Sequence, residues 1–175
     1  MAPVIVVLGP TGAGKSDQAK RLAAAKGWTR VSSGELLRGS GRPELIEAVK
    51  QGALAPTDII WELVTTKLRT IKADEGLVLD GFPRLLNEAQ RLDALLAEGG
   101  RKIDRVIEVF VPPAVAQQRL DHRGRADDSA EAVARKRRWY DTETAQVLKH
   151  YQPVFMQIDG SGTPDEVFEL LEATL

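Results

Sequence analysis

The sequence predicts a single α/β domain built as a three-layer sandwich, with helices on both faces of a five-stranded parallel sheet. Two observations support this fold class. Short runs rich in Val, Ile and Leu alternate along the chain with longer segments whose apolar residues recur at helical spacing. The short runs are also nearly free of polar residues, as is typical of strands buried on both faces of a parallel sheet. Functional residues are then expected at the carboxyl ends of the strands, where such sheets bind ligands.

The first predicted strand, Val4–Leu8, is a continuous run of mainly β-branched residues. A weaker strand is predicted over residues 29–32, and a short buried one over residues 77–79 that ends at Asp80. Two more are predicted over residues 105–111 and 154–158, ended by Pro112-Pro113 and Asp159-Gly160. Helices are predicted for the segments between and after the strands, over residues 16–26, 56–72, 85–97, 114–121, 131–150 and 164–175. Their connections are expected to be right-handed crossovers.

Composition excludes several classes of function. The 175 residues carry 24 Lys plus Arg against 25 Asp plus Glu, and this balance disfavours a general nucleic-acid or membrane coat. The chain has no Cys and only 2 His, so disulfides, thiolate nucleophiles and Cys- or His-rich zinc sites are not expected. No apolar run reaches the roughly 20 residues of a membrane span, and no secretory signal is recognisable. A cytoplasmic protein without nucleic-acid or membrane partners is therefore predicted.

The strongest motif is Gly9–Ser16, which matches G-x-x-x-x-G-K-[ST] between a predicted strand and a predicted helix. Its glycines let the backbone turn so that successive N–H groups point at a phosphate near the helix N-terminus. Lys15 adds a positive charge toward the β and γ phosphates, and the Ser16 hydroxyl can bind Mg²⁺. The motif therefore predicts a phosphate-binding loop, or P-loop, against the alternative of a simple glycine-rich turn. The predicted nucleotide-binding residues in and beside it are Gly9, Gly12, Ala13, Gly14, Lys15, Ser16 and Asp17.

Three further stretches, together with the P-loop, resemble the adenylate kinase and nucleoside-monophosphate kinase family. Ser32–Arg38 is similar to the family's S-T-G-D-L-L-R, and Asp80–Arg84 reproduces its D-G-F-P-R. Arg119, Arg123 and the run from Gly124 to Asp128 resemble its lid arginines and G-R-x-D-D. Tyr140 followed by Thr144 matches a Y-x-x-x-T spacing downstream. The resemblance runs nearly end to end, and the four pieces in this order are far more specific than any one of them.

The resemblance implies a reversible transfer of the γ-phosphate of ATP to a nucleoside monophosphate, with AMP as the default acceptor and Mg²⁺ as the metal. Phosphoryl transfer asks mainly for positioning and charge neutralisation, which arginines suit because their planar forks stay protonated. The family also implies a monomer whose sheet has the strand order 2-3-1-4-5. A helical monophosphate-binding segment is expected at about residues 33–66, and a minimal lid at about residues 121–130.

The family positions imply a role for each residue. Arg38 and Arg84 would clamp the monophosphate, whose pocket would also include Ser33, Gly34, Gly81 and Glu88, while Arg119 would stack on the donor base. The lid would bring Arg123 and Arg125 over the transferring group, with Arg125 also on the monophosphate. Asp80 would hold Mg²⁺ through water, or merely cap the following turn. The predicted catalytic residues are Lys15, Arg84, Arg123, Arg125 and Lys136.

The basic run from Arg135 to Arg138 leaves one assignment open. The family expects one catalytic cation here, and a gap-free alignment on Tyr140 selects Lys136, but Arg135 and Arg137 flank it. A solvated helix face is the alternative for this run, and salt bridges to neighbouring aspartates are the alternative for the lid arginines. The three tryptophans, Trp139 included, are expected to pack rather than to stack on a base.

Two departures from the family pattern affect function. Asp17 replaces a phosphate-binding threonine, and its carboxylate would repel phosphates unless it turns away. Glu88 replaces a base-reading glutamine. An ionised carboxylate accepts both donors of guanine but repels N1 of adenine, so Glu88 argues against a strict AMP preference. Three alternatives would reconcile it with AMP: a side chain turned to solvent, a protonated carboxyl, or a pocket that reads the base with Asn87 or backbone groups.

Two other functions remain open at this point. A different P-loop kinase acting on a small metabolite would share Gly9–Ser16, but it would have no reason to carry D-G-F-P-R and the lid aspartates. A non-catalytic nucleotide sensor would keep Lys15 but could lose the lid arginines, and this chain retains Arg123 and Arg125.

Overall fold

The computed structural model describes residues 2–125 and 128–175. The sheet has five parallel strands in the order β2-β3-β1-β4-β5, as predicted. The strands are β1 (Val4–Leu8), β2 (Thr29–Ser32), β3 (Leu77–Asp80), β4 (Arg105–Phe110) and β5 (Phe155–Asp159). The predicted lid at residues 121–130 includes Ala126 and Asp127, which lie outside the described residues.

Helices fill the connections between the strands. They are α1 (Lys15–Lys26), α2 (Ser33–Arg38), α3 (Pro43–Lys50), α4 (Thr57–Leu68), α5 (Leu86–Glu98), α6 (Pro113–Arg123), α7 (Ala130–Trp139), α8 (Ala145–His150) and α9 (Pro164–Glu172). A π-helical turn, Tyr140–Thr144, joins α7 to α8, and a 3-10 turn, Gln152–Val154, precedes β5.

The prediction of one helix over residues 131–150 is wrong in one respect. Its helical periodicity is real, but the π turn inserts an extra residue at Tyr140–Thr144 and divides it into α7 and α8. The predicted helices over 56–72 and 164–175 also end earlier, at Leu68 and Glu172. The last two strands differ from prediction by one residue at their ends, because strand ends depend on pairing with neighbours rather than on composition alone.

Two apolar layers sandwich the sheet. On one face, side chains such as Val6 and Leu79 pack with Val64 of α4 and Leu92 of α5. On the other face, Val7 and others pack with α1, α6 and α9 in a second cluster of Ile5, Val7, Ala19, Leu22, Ile107, Val109, Ala116, Val167 and Leu171. Burial of both faces explains why the strands read as continuous apolar runs.

The register of the central strands positions the functional loops. β1 pairs with β3 so that Val7 lies beside Asp80, and with β4 so that Leu8 lies beside Glu108. The P-loop and the D-G-F-P-R segment therefore leave the sheet at the same edge. Across the described ranges, the helices are too short or too polar for any of them to cross a membrane.

Candidate active site

The P-loop wraps tightly against the strand and helix that follow it in the sandwich. Gly14, at φ +89°, caps the N-terminus of α1, and Ala13 is buried beneath the loop. Gly12 has φ +86°, and a Cβ there would lie 2.6 Å from the carbonyl oxygen of Ala116. Glycine is required at this position by both the left-handed backbone and the close approach of α6. Such a loop at a helix N-terminus presents backbone N–H groups to an anion.

A cleft of about 1050 Å³, counted to its open mouth, lies above the carboxyl ends of β1 and β3. It combines residues from the P-loop, the acceptor segment, the D-G-F-P-R motif and the lid. The predicted site residues that line it are Gly9, Lys15, Ser16, Gly34, Arg38, Asp80, Gly81, Arg84, Arg123, Arg125 and Lys136. Segments far apart in sequence thus converge on one volume large enough for nucleotide ligands.

The cleft is strongly positive. Among its described lining residues, the cations are Lys15, Arg38, Arg84, Arg123, Arg125 and Lys136, and the carboxylate is Asp80. Desolvation lowers the pKa of Lys15 from 10.5 to about 8, an effect that Asp80 opposes and the charges of Arg84, Arg123 and Lys136 reinforce. Like charges held this close repel each other unless an anion lies between them. The arrangement is therefore suited to a polyphosphate.

The pair Ser16 and Asp80 fits a hydrated Mg²⁺. Asp80 is almost completely buried, and its Oδ1 accepts a hydrogen bond of 3.0 Å from the Ser16 hydroxyl. Its Oδ2 is buried without a hydrogen-bond partner, and Nη2 of Arg30 lies 3.6 Å away in an ion pair. A buried carboxylate oxygen that lacks a donor is costly, and a metal-bound water would supply one. Within the described ranges, no cluster of three or more metal-ligating side chains exists, so phosphate oxygens would have to complete the shell.

Arg84 is held in place on the acceptor side. Its Nε donates to the carbonyl of Gly81 at 2.7 Å, and Nη2 donates to the Ser33 hydroxyl at 3.5 Å. Ser33 in turn donates to the Gly81 carbonyl at 2.7 Å. Arg38 curls back over Gly34, with Nη1 3.2 Å from where a Cβ would sit. Gly34 therefore leaves space for a guanidinium that faces the cleft.

Glu88 is buried rather than turned to solvent, which removes one of the three alternatives considered for it. Its Oε2 accepts backbone hydrogen bonds from Arg84 at 2.9 Å and Leu85 at 3.2 Å, so it caps the start of α5. Burial raises the pKa of its carboxyl, although the two backbone N–H groups oppose this. The residue also borders a small apolar pocket with Leu37, Leu54, Ala55, Ile60, Phe82 and Arg84.

The described part of the lid holds its arginines near the cleft. Arg123 makes a fork-to-fork ion pair with Asp128, whose carboxylate also accepts the Arg125 backbone N–H at 3.2 Å. The aspartate pairing considered from sequence is thus present for Arg123, and both arginines still line the cleft. An anion entering the cleft would compete with Asp128 for the Arg123 fork.

Two predicted nucleotide-binding residues lie outside this lining. The Asp17 carboxylate turns to Arg21 at 2.9 Å and is 56% exposed, so it avoids the repulsion expected beside phosphates. Arg119 lies against the outer side of the P-loop, where it donates to the carbonyls of Ala13 at 3.2 Å and Gly162 at 3.2 Å. Their roles in nucleotide binding stay predictions. The spacing of Asp17 and Arg21, four apart on a helix, was a signal for their pairing.

The basic run of α7 divides between two surfaces. Lys136 lines the cleft, whereas Arg137 donates to the Pro113 carbonyl at 3.3 Å and the Gln117 side chain at 3.2 Å on α6. The cleft also contains Trp139 and Tyr140. The expectation that Trp139 packs in the interior is wrong, because its side chain is 37% exposed at the cleft wall.

Comparison with known proteins identifies the family. A family model described as "Adenylate kinase" matches residues 7–155. The adenylate kinase of Mycobacterium leprae (strain Br4923) is 40% identical over 170 residues, covering 94% of each chain. Those of Mycobacterium tuberculosis (strain ATCC 25618 / H37Rv) and Corynebacterium glutamicum (strain R) are 39% and 38% identical, with 94% and 93% of each chain covered. The chain belongs to the adenylate kinase family, and the sequence-based prediction of a phosphotransferase of the nucleoside-monophosphate kinase type is confirmed.

Proposed function

We propose that this protein transfers the γ-phosphate of ATP reversibly to AMP, with Mg²⁺ bound at Ser16 and, through water, at Asp80. The observation that carries the proposal is the convergence of the cationic side chains on one cleft beside the P-loop. Phosphoryl transfer is accelerated mainly by positioning the two nucleotides and neutralising the charge of the transferring group. A cleft that holds many cations and a single described carboxylate suits that chemistry.

The residue roles follow from position. Lys15 would hold the β and γ phosphates of the donor, and Arg84, anchored by Gly81 and Ser33, would hold the acceptor phosphate together with Arg38. Arg123, Arg125 and Lys136 would meet the charge that develops on the transferring group. Those residues come from the far side of the cleft, beyond the two phosphate sites.

Mg²⁺ would neutralise the bridging phosphate oxygens. Ser16 would bind it directly, as hydroxyls of this motif do, and Asp80 would orient its water ligands through the oxygen that lacks a hydrogen-bond donor. We also propose that the protein acts as a monomer in the cytoplasm, since a single chain supplies residues from every part of the cleft.

GMP is the second candidate acceptor, and the Glu88 carboxylate favours it. Glu88 borders the small pocket that adjoins the acceptor-phosphate residues Ser33 and Arg84. An ionised carboxylate there would accept the N1–H and N2–H donors of guanine, whereas a protonated one would suit adenine. Burial raises the pKa of Glu88, a direction that favours the AMP assignment.

A coupled assay of ATP with AMP, GMP, CMP, UMP and dTMP, with and without Mg²⁺, tests the proposal. We expect turnover with AMP above the others and a loss of turnover in excess chelator. The Lys15→Ala variant should lose about 10²–10³ in kcat while its fold is retained, because Lys15 contributes charge to a loop rather than to the core. Near-normal turnover by Lys15→Ala, measured beside an unchanged unfolding midpoint, would overturn the P-loop assignment.

A further inference from the structure

Tyr140 forms a buried polar network whose groups do not face the cleft. Its phenol hydroxyl donates to Oε1 of Glu108 at 2.5 Å. Glu108 is 5% exposed, and its Oε2 accepts a hydrogen bond of 2.7 Å from the Gln157 amide. Both oxygens of this buried carboxylate are therefore satisfied by uncharged donors, one of which is the tyrosine.

The network is anchored where the P-loop leaves the sheet. Glu108 lies on β4 in register with Leu8, the last residue before the P-loop, and with Gln157 on β5. The strands around it are paired on both sides and packed in the core. Tyr140 is thus bonded to a rigid part of the molecule at the level of the phosphate-binding loop.

The π turn that begins at Tyr140 is also bonded to the acceptor side. Thr144, its last residue, is buried and donates to the backbone carbonyl of Arg84 at 3.3 Å. The turn therefore spans from β4, beside the donor site, to the segment that holds the acceptor-phosphate arginine. Isolated π turns within helices cost regular hydrogen bonds, and they are frequent where a side chain has to be held at a functional site.

Lys136 lies four residues before Tyr140 on α7, so the two side chains share one face of the helix. Both line the cleft. A hydrogen bond that holds the Tyr140 end of this face against β4 fixes the rotation of α7 about its axis, and that rotation decides whether Lys136 faces the cleft. Burial beside Glu108 raises the pKa of Tyr140, so its hydroxyl stays a donor at physiological pH.

We propose that Tyr140 is a positioning residue for phosphoryl transfer: its hydrogen bond to Glu108 sets the orientation of α7 and thereby holds Lys136 toward the transferring phosphate. This inference rests on the proposed function, because it takes the cleft as the place of transfer. It assigns to Tyr140 no contact with either nucleotide.

A double-mutant cycle tests the inference. Tyr140→Phe keeps the ring and removes only the hydroxyl, and it should lower kcat about three- to tenfold with little change in either KM. Lys136→Met should lower kcat further. If Tyr140 acts through Lys136, then adding Tyr140→Phe to Lys136→Met should lower kcat less than twofold, since residues acting as a unit are not additive.

Tyr151→Phe is the matched control. Its hydroxyl also bonds a carboxylate, Asp93 at 2.9 Å, but it does so between α5 and α8, away from the cleft. Thermal unfolding is measured for every variant, and Tyr151→Phe should lose similar stability to Tyr140→Phe while retaining kcat. The inference is overturned if wild-type protein is active and Tyr140→Phe retains full kcat, or if the two substitutions multiply in the cycle. Failure of the proposed function gives a different result, namely no transfer by the wild-type protein.

Discussion

Gly52 is the point where the acceptor segment touches the helix that carries Lys136. It is buried in the turn after α3, with φ +73°. A Cβ at this position would lie 2.4 Å from the carbonyl oxygen of Ala132 and 2.8 Å from its Cα, both backbone atoms of α7. We predict that Gly52→Ala forces the acceptor segment and α7 apart and lowers turnover more than it lowers stability.

The magnitude follows from that geometry. Ordinary van der Waals contact begins at 3.4 Å, so the new methyl group requires a separation of about 1 Å between two backbone segments. The left-handed backbone alone costs a residue with a Cβ about 1–2 kcal/mol, and overpacking adds about 1–3 kcal/mol. Because misplacing reacting groups by about 1 Å can cost on the order of 10²-fold in rate, we expect kcat to fall about ten- to hundredfold.

Gly41→Ala provides a matched control. Gly41 belongs to the same predicted acceptor segment and has φ +67°, but a Cβ there would meet nothing within 4 Å. The control therefore has the backbone strain of Gly52→Ala without its collision. Urea unfolding and steady-state turnover with ATP and AMP would be measured for both variants, and Gly41→Ala should lose about 1 kcal/mol of stability with its kcat retained.

Equal kcat values for Gly52→Ala and Gly41→Ala would refute this reasoning. That result would mean that the close approach of Gly52 to Ala132 is not needed during turnover. A fall in the stability of Gly52→Ala without a fall in kcat would lead to the same conclusion, because strain alone is then sufficient to explain the variant.

Three further predictions concern the cleft. Arg123→Ala and Arg125→Ala should each lower kcat more than they weaken binding of the monophosphate, as steady-state kinetics with varied AMP would show, and an effect on KM alone would place them in the acceptor pocket instead. Because the pKa of Lys15 is lowered to about 8, its charge is lost above that pH, so the ATP affinity measured by calorimetry should be level below pH 8 and fall above it. Binding at pH 9 should also take up a proton, which buffers of different ionisation enthalpy would reveal. Glu88→Gln should raise the AMP-to-GMP ratio of kcat/KM at least several-fold, since a hydrogen-bond mismatch is worth on the order of 1–3 kcal/mol, and an unchanged ratio would mean that Glu88 does not read the base.

Local patterns carried most of the fold. The apolar run Val4–Leu8 and its successors predicted five parallel strands, because strands buried on both faces tolerate few polar residues. Helical periodicity likewise predicted the long helices. It could not reveal the π turn at Tyr140–Thr144, since an inserted residue leaves the apolar spacing nearly intact and depends on bonds to Glu108 and Arg84.

The candidate site divides in the same way. Motifs of five to eight residues, such as Gly9–Ser16 and Asp80–Arg84, predicted most of the residues that line the cleft. Neither the role of Glu88 as a cap of α5 nor the position of Arg30 beside Asp80 had a recognisable signal in the sequence. Such contacts depend on where whole segments pack rather than on the residues next to them.

The sequence by itself determined the fold class, the P-loop and the membership of the adenylate kinase family. These features rest on contiguous patterns, whose geometry follows from local backbone chemistry. Tertiary structure decided that Lys136 rather than Arg137 faces the cleft and that Ser16 and Asp80 meet at 3.0 Å. The physical reason is that such contacts join residues far apart in the chain or select one face of a helix, and the packing of the core sets both.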